Sequence, residues 1–138
     1  MQFDFACHFL EESTIRCRDL PGLISCPAEG DTCEQWAEYV VFDVLDYLMW
    51  KGRPIPVATP AKEGEYVVRL TLTQTAKIVL HNARLEANVS KAELAERTGM
   101  SLAYVERMLN LRQPTKIESI REALRSLGKD FTLDVVER

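Results

Sequence analysis

Three groups of residues in this chain could do chemistry, and two of them are poorly spaced for it. The four cysteines, at positions 7, 17, 26 and 33, all fall in the first quarter of the 138 residues. Their wide spacings match neither a paired CxxC metal knuckle nor a redox CxxC. A zinc site would have to recruit His8 or His81, and neither stands in a ligand pair at helical or knuckle spacing. The cysteines therefore read as reduced thiols, buried in strands as small apolar residues. Asp43 and Asp46 make one carboxylate pair on one helix edge, where a metal-dependent nuclease needs several converging carboxylates. Solvated charge is the simpler reading. No catalytic residue, no metal and no cofactor is expected, and the chain is not read as an enzyme.

The third group is the segment from Ser90 to Leu111, SKAELAERTGMSLAYVERMLNL. Leu94, Met100, Val105 and Met108 are apolar where two short helices would face each other. Ala95 is small where a larger side chain would hold them apart, and Gly99 occupies the turn, which needs left-handed backbone. This is the pattern of a helix-turn-helix. In that motif the helix starting at Ser101 enters the DNA major groove, so Ser101, Leu102, Ala103, Tyr104, Glu106, Arg107 and Asn110 point toward bases or phosphates. Arg107 suits a guanine edge, and Asn110, Gln113, Thr115 and Lys116 suit phosphate. The competing reading is a helical hairpin that only dimerises, since Leu102 and Tyr104 are less polar than a usual reading face and Glu106 repels phosphate.

The elements that must position these residues differ between the two halves. With 46% hydrophobic content, 138 residues can bury one modest core or two very small ones. The N-terminus lacks a basic lead and a sustained apolar run, so it is read as neither a signal peptide nor a spanning helix, and the protein is expected in the cytoplasm without a membrane partner. Phe3, Phe5, Cys7 and Phe9 alternate with polar or small residues, as do Ile15 and Cys17, which predicts an antiparallel hairpin turning through Glu11-Glu12-Ser13. Leu23 to Cys26 is a short third strand. Asp31 and Glu34 are spaced as a capping pair for a helix running to about Trp50, whose broad apolar face holds Trp36, Val40, Val44 and Leu48 with Ala37, Val41 and Leu45 beside them. Tyr39, Asp43, Asp46, Tyr47 and Trp50 lie around its edge. There the aromatics either complete the core beside solvated carboxylates or form a surface for a partner.

Residues 53–65 carry three prolines and form a loop, and Tyr66 to Leu72 forms a fourth strand. Residues 1–72 thus read as a β-β-β-α-β domain, and the chain as an α+β protein. Residues 73–138 form the second domain: helices from Thr73 or Thr75 to near Asn88, from Ser90 with Glu93 as its capping box, from its cap Ser101 to Asn110 and from Ile117 to Leu127, then a strand. In that last segment Phe131, Leu133 and Val135 alternate with Thr132 and Asp134. A lone strand must find an edge, either its own copy in a symmetric dimer or the strand from Tyr66, unless it is a frayed tail.

Charge divides along the same line. Residues 1–70 hold 6 Lys+Arg against 12 Asp+Glu, a net of −6, and residues 71–138 hold 11 against 9, a net of +2. An acidic face steers toward a basic protein, while the second half neutralises phosphate only locally.

The order of elements and several strings resemble the HicB antitoxin family over nearly the whole chain. The carrying residues are Asp19-Leu20-Pro21-Gly22, Gly30-Asp31-Thr32 and the following helix. In the second half they are Leu94-Ala95-Glu96-Arg97-Thr98-Gly99, Asn110-Leu111, Thr115-Lys116-Ile117 and Leu127-Gly128-Lys129. The string from Leu94 marks the variant with a helix-turn-helix rather than a ribbon-helix-helix. The resemblance implies a degenerate ribonuclease H-like N-terminal domain that binds a small basic HicA ribonuclease toxin and masks its active site. It also implies a C-terminal domain that dimerises and represses the shared operon. Residues touching the toxin do not carry over by motif, which leaves Tyr39, Asp43, Asp46, Tyr47 and Trp50 as the candidate face. The alternative is a transcription regulator whose N-terminal domain senses a small molecule.

Overall fold

The computed structural model describes residues 3–10, 14–27 and 29–137. The expected turn through Glu11, Glu12 and Ser13 lies outside them. The chain divides into two compact units, Met1–Thr75 and Ala76–Arg138.

In the first unit, β1 (Phe5–Phe9), β2 (Ile15–Cys17), β3 (Ile24–Ser25) and β4 (Tyr66–Val68) form one antiparallel sheet in the order β3-β2-β1-β4. The hairpin aligns Cys7 with Cys17 and Phe9 with Ile15, while Phe5 faces Val68 on the other side. Because β1 is an inner strand, Ala6 is buried along with Phe5 and Cys7, so strict alternation holds less well there than the sequence predicts. β3 and β4 are shorter than expected.

Helix α1 (Cys33–Trp50) starts at Thr32, not through Asp31: the Thr32 hydroxyl accepts from the Gln35 backbone N–H at 3.1 Å and the Gln35 side chain accepts from the Thr32 N–H at 3.0 Å. This reciprocal cap satisfies two orphan donors. Its buried line is Ala37, Val41, Leu45 and Met49, the Ala37 side of the expected broad face. Trp36, Val40, Val44 and Leu48 are half-buried flanks. Small Ala37 lets the helix lie close to the sheet, and the bulkier Trp36 is displaced to its margin, where its indole N–H donates to the Ser25 hydroxyl at 2.8 Å.

The 53–65 segment has no regular structure but is tied down. Arg18 donates to the Glu65 carboxylate at 2.6 and 2.8 Å, to the Thr59 hydroxyl at 2.9 Å and to the Pro60 carbonyl at 2.8 Å. Asp19 accepts from the Thr59 N–H at 2.9 Å, and Ile55 is buried. The Lys62 N–H and then Arg18 hold the Glu65 carboxyl below its ordinary value of 4.5.

The second unit is helical. Helix α2 (Leu72–Glu86) begins at the end of the first unit, where Thr71 and Gln74 cap it reciprocally. It is followed by α3 (Lys91–Thr98), α4 (Leu102–Met108) and α5 (Ile117–Ser126). Ala76, Leu80, Ala83, Leu94, Val105, Met108, Ile120 and Leu124 are among the residues of one buried cluster. Between α2 and α3 the backbone turns through Asn88 at φ 55, and the Arg84 guanidinium, buried beneath, donates to the Val89 carbonyl at 3.0 Å.

No strand forms over residues 131–136. Arg121 binds Asp130 at 2.8 Å, and Phe131 packs on the helical cluster. Beyond it Leu133, Val135 and Val136 are exposed, at 81%, 93% and 66%. A strand needs a neighbouring edge to satisfy its N–H and C=O groups, and among the described residues no strand pairs with this segment. No described helix is long and apolar enough to cross a membrane.

Candidate functional site

Helices α3 and α4 meet with the geometry that the Ser90–Leu111 pattern demands. Leu94, Val105 and Met108 are buried and Met100 packs beside them. Ala95 is buried at the same junction. The turn is built by Thr98, whose hydroxyl donates to the Leu94 carbonyl at 2.9 Å, and by Gly99 at φ 70. A residue with a Cβ would be strained there. Ser90 caps α3 by accepting from the Glu93 N–H, and Ser101 caps α4 by accepting from the Tyr104 N–H at 3.1 Å. Glu93 does not complete a capping box. Its carboxylate accepts instead from Arg97 at 3.1 Å.

The outward face of α4 carries Ser101, Leu102, Ala103, Glu106 and Arg107, all exposed, with Asn110, Gln113 and Lys116 exposed beyond it. Arg107, Thr115 and Lys116 line one surface depression with Tyr104 and Pro114. Two cations and the last turn of α4 thus border a common hollow. Other members of the set are partly committed. The Tyr104 hydroxyl hydrogen-bonds the Ser119 hydroxyl at 2.8 Å, and the Asn110 side chain accepts from the Arg112 N–H at 2.9 Å, shaping the turn. Thr115 is half-buried, and its hydroxyl is buried with no hydrogen-bond partner.

Sequence reasoning missed Lys77. Its side chain is fully buried on α2, and its ammonium donates to the carbonyls of Asn110 at 2.7 Å, Arg107 at 3.1 Å and Gln113. Burial first, and then the positive charge of Arg107, pull this lysine down to about 8. A signal was present: Lys77, His81 and Arg84 recur at helical spacing among Ala76, Ile78, Leu80 and Ala83, and all three are buried.

In the first unit, Tyr39, Tyr47 and Trp50 are exposed rather than core, at 66%, 52% and 77%. Asp43 is exposed and Asp46 half-buried. The Lys51 ammonium lies 5.1 Å from the Trp50 ring centre and 5.9 Å from that of Tyr47. Exposed tyrosine and tryptophan are residue types enriched at protein interfaces. Cys7 and Cys17 are buried in strands, but Cys26 is exposed and Cys33, opening α1, is half-buried, so only two of the four fit the expected packing; all four are free. Among the described residues no three His, Cys, Asp or Glu side chains gather as metal ligands.

An acidic α+β unit followed by a helix-turn-helix defines a regulatory protein with a DNA-binding module. Comparison with known proteins makes the class specific. Residues 10–79 match the family described as the HicB-like antitoxin of bacterial toxin-antitoxin systems, and residues 80–133 match a helix-turn-helix family. Antitoxin HicB of Pseudomonas fluorescens (strain Pf0-1) is 32% identical, over 98% of this chain and 95% of the relative. Antitoxin HicB 2 of Photorhabdus laumondii subsp. laumondii is 35% identical over 75% of this chain and 76% of its own length. Antitoxin HicB of Escherichia coli (strain K12) is 28% identical over 86% of both. The chain belongs to the HicB-like antitoxin family, in its helix-turn-helix form.

Proposed function

We propose that this chain neutralises a small basic HicA-type ribonuclease that cleaves mRNA, and represses its own operon by binding operator DNA as a dimer. The observation that carries the reading is the pairing, within one HicB-like chain, of an acidic unit bearing exposed Tyr39, Tyr47 and Trp50 with a helix-turn-helix that presents Arg107 and Lys116. Residues 1–72 serve the toxin and residues 73–138 serve DNA and dimerisation. Charge complementarity favours the first partner, since the acidic half meets a basic protein and excludes nucleic acid from the same face. In the second, a two-fold dimer would set two α4 helices about 34 Å apart along one face of the duplex.

The test uses the full chain expressed from its native operon with an affinity tag. Recovery of a stoichiometric small basic protein, together with a gel shift that prefers the chain's own promoter over random DNA at moderate salt, supports both halves. Absence of the protein removes the antitoxin half, and absence of promoter preference removes the repressor half.

A further inference from the structure

We propose that Lys77 is a positioning residue for DNA binding: from inside the helical unit its ammonium gathers the carbonyls of Arg107, Asn110 and Gln113 and so sets the path of residues 107–116. The inference rests on the operator-binding reading above. Helix α4 has only seven residues, and like every helix it ends in carbonyls without intrahelical donors. Between Met108 and Ile117 no helix or strand runs, and the backbone is held by turn bonds such as Asn110 N–H to Arg107 O and Gln113 N–H to Asn110 O, both 3.2 Å. Yet this stretch must hold Asn110, Gln113, Thr115 and Lys116 in fixed register with Arg107 if they are to follow one phosphate backbone.

An ammonium carries three N–H donors and no acceptor, and here each donor meets one carbonyl. A buried cation without partners would be strongly unfavourable; with all three filled it becomes a single fastening point for α4's end and two successive turns. The side chain is buried, so it makes no contact with DNA itself. A methionine of similar length would keep the packing and take the ammonium from all three carbonyls, leaving those of Arg107 and Asn110 with their turn bonds.

The charged and titratable groups on the segments around it are Tyr104, Glu106 and Arg107 on α4, Arg112 and Lys116 on the following loop, and His81, Arg84 and Glu86 on α2. Arg107 is the one whose charge acts on the ammonium, adding to burial in bringing it to about 8. A neutral amine has two N–H groups for three carbonyls, so one turn is released as Lys77 deprotonates. The charged fraction falls as pH rises through this value, and operator affinity falls with it if only the charged form binds. Stability moves the other way. The folded value, about 8, lies below the ordinary 10.5, so the unfolded chain holds more protons in that window and this group raises stability as pH climbs through it. Opposite movement of affinity and stability is a signature that a purely structural lysine lacks.

The experiment measures promoter affinity and thermal stability of the full chain and of Lys77→Met at pH 7, 8 and 9, with amide hydrogen exchange over residues 107–116 at pH 7. Expected are a tenfold or greater loss of affinity in the variant at pH 7 with unchanged far-UV circular dichroism, no further loss to pH 9, and faster exchange over 107–116. The parent chain should lose affinity from pH 7 to 9 without losing stability. A folded variant that binds like the parent overturns the inference. If the variant does not fold, a parent affinity that stays flat from pH 7 to 9 overturns it. A parent with no promoter preference at any pH defeats the operator reading instead, and exchange over 107–116 in the variant then still decides whether Lys77 fastens the segment.

Discussion

The two units hold their irregular segments in opposite ways. In the first, the proline-rich loop is fastened from outside by side-chain ion pairs and hydrogen bonds, with Arg18 on Glu65 and Asp19 on Thr59. In the second, the turns after α2 and α4 are fastened from inside by buried cations on backbone carbonyls, Arg84 on Val89 and Lys77 on three acceptors. The Arg18–Glu65 pair is half-buried, with side chains 26% and 9% exposed, while the Asp19–Thr59 contacts are exposed and more open to screening by water and salt. A buried cation meets low dielectric, so its contacts are stronger and their loss more damaging. The helical unit therefore keeps its outer face available for a ligand, whereas the sheet unit spends surface groups on its own loop.

Both tryptophans, Trp36 and Trp50, lie in the first unit, so fluorescence reports that unit while circular dichroism weights the helices. The largest expected effect is in Leu94→Ala, which should cost about 2–5 kcal/mol because the side chain is fully buried. Its urea midpoint by circular dichroism should drop while the fluorescence midpoint stays; coincident shifts would mean that the units unfold as one. Next comes Trp50→Ala, expected to weaken toxin binding by about 2 kcal/mol, the scale of an aromatic hot spot, with promoter affinity unchanged. Arg107→Ala should do the converse, losing roughly 1–3 kcal/mol of specific DNA affinity if it reads a guanine, with toxin binding intact by calorimetry. Crossed effects in this pair would erase the division of labour. The smallest effect is at Glu65. Its folded value lies below 4.5, so its stabilisation is full above that pH and is lost as pH falls through the folded value. Proteolysis within 53–65 should accelerate in acid for the parent chain and lose that acid dependence in Glu65→Gln.

Local signals were readable from residue order, and signals that depend on distant partners were not. The β1–β2 hairpin, the Ser90 and Ser101 caps and the Gly99 turn follow from neighbours in sequence. The string Asp19-Leu20-Pro21-Gly22 also acquires a physical role, since Asp19 holds Thr59, Leu20 is buried and Gly22 turns the chain at φ 94. Within the broad α1 face the buried line follows Ala37 rather than Trp36, because period fixes spacing but not phase, and phase is set by which residue is small enough to approach the sheet. Alternation over 131–136 suggested a strand, but a strand is a relation between two segments and one segment cannot supply it. Lys77 escaped for the same reason: its three acceptors lie 30 to 36 residues away.

The cross-strand cysteines give the molecule a clock that needs no engineering. Cys26 is exposed and accepts a thiol reagent directly, while Cys7 and Cys17, at 0% and 4% exposure, sit face to face across the central strand pair. Their reaction under native conditions must await separation of β1 from β2. The slow phase of labelling therefore times the opening of the sheet, and Cys26 serves as the internal reference. A ligand that closes over α1 and the sheet would slow that phase without touching either sulfur, so that occupancy of the acidic unit can be read as a rate on the natural sequence.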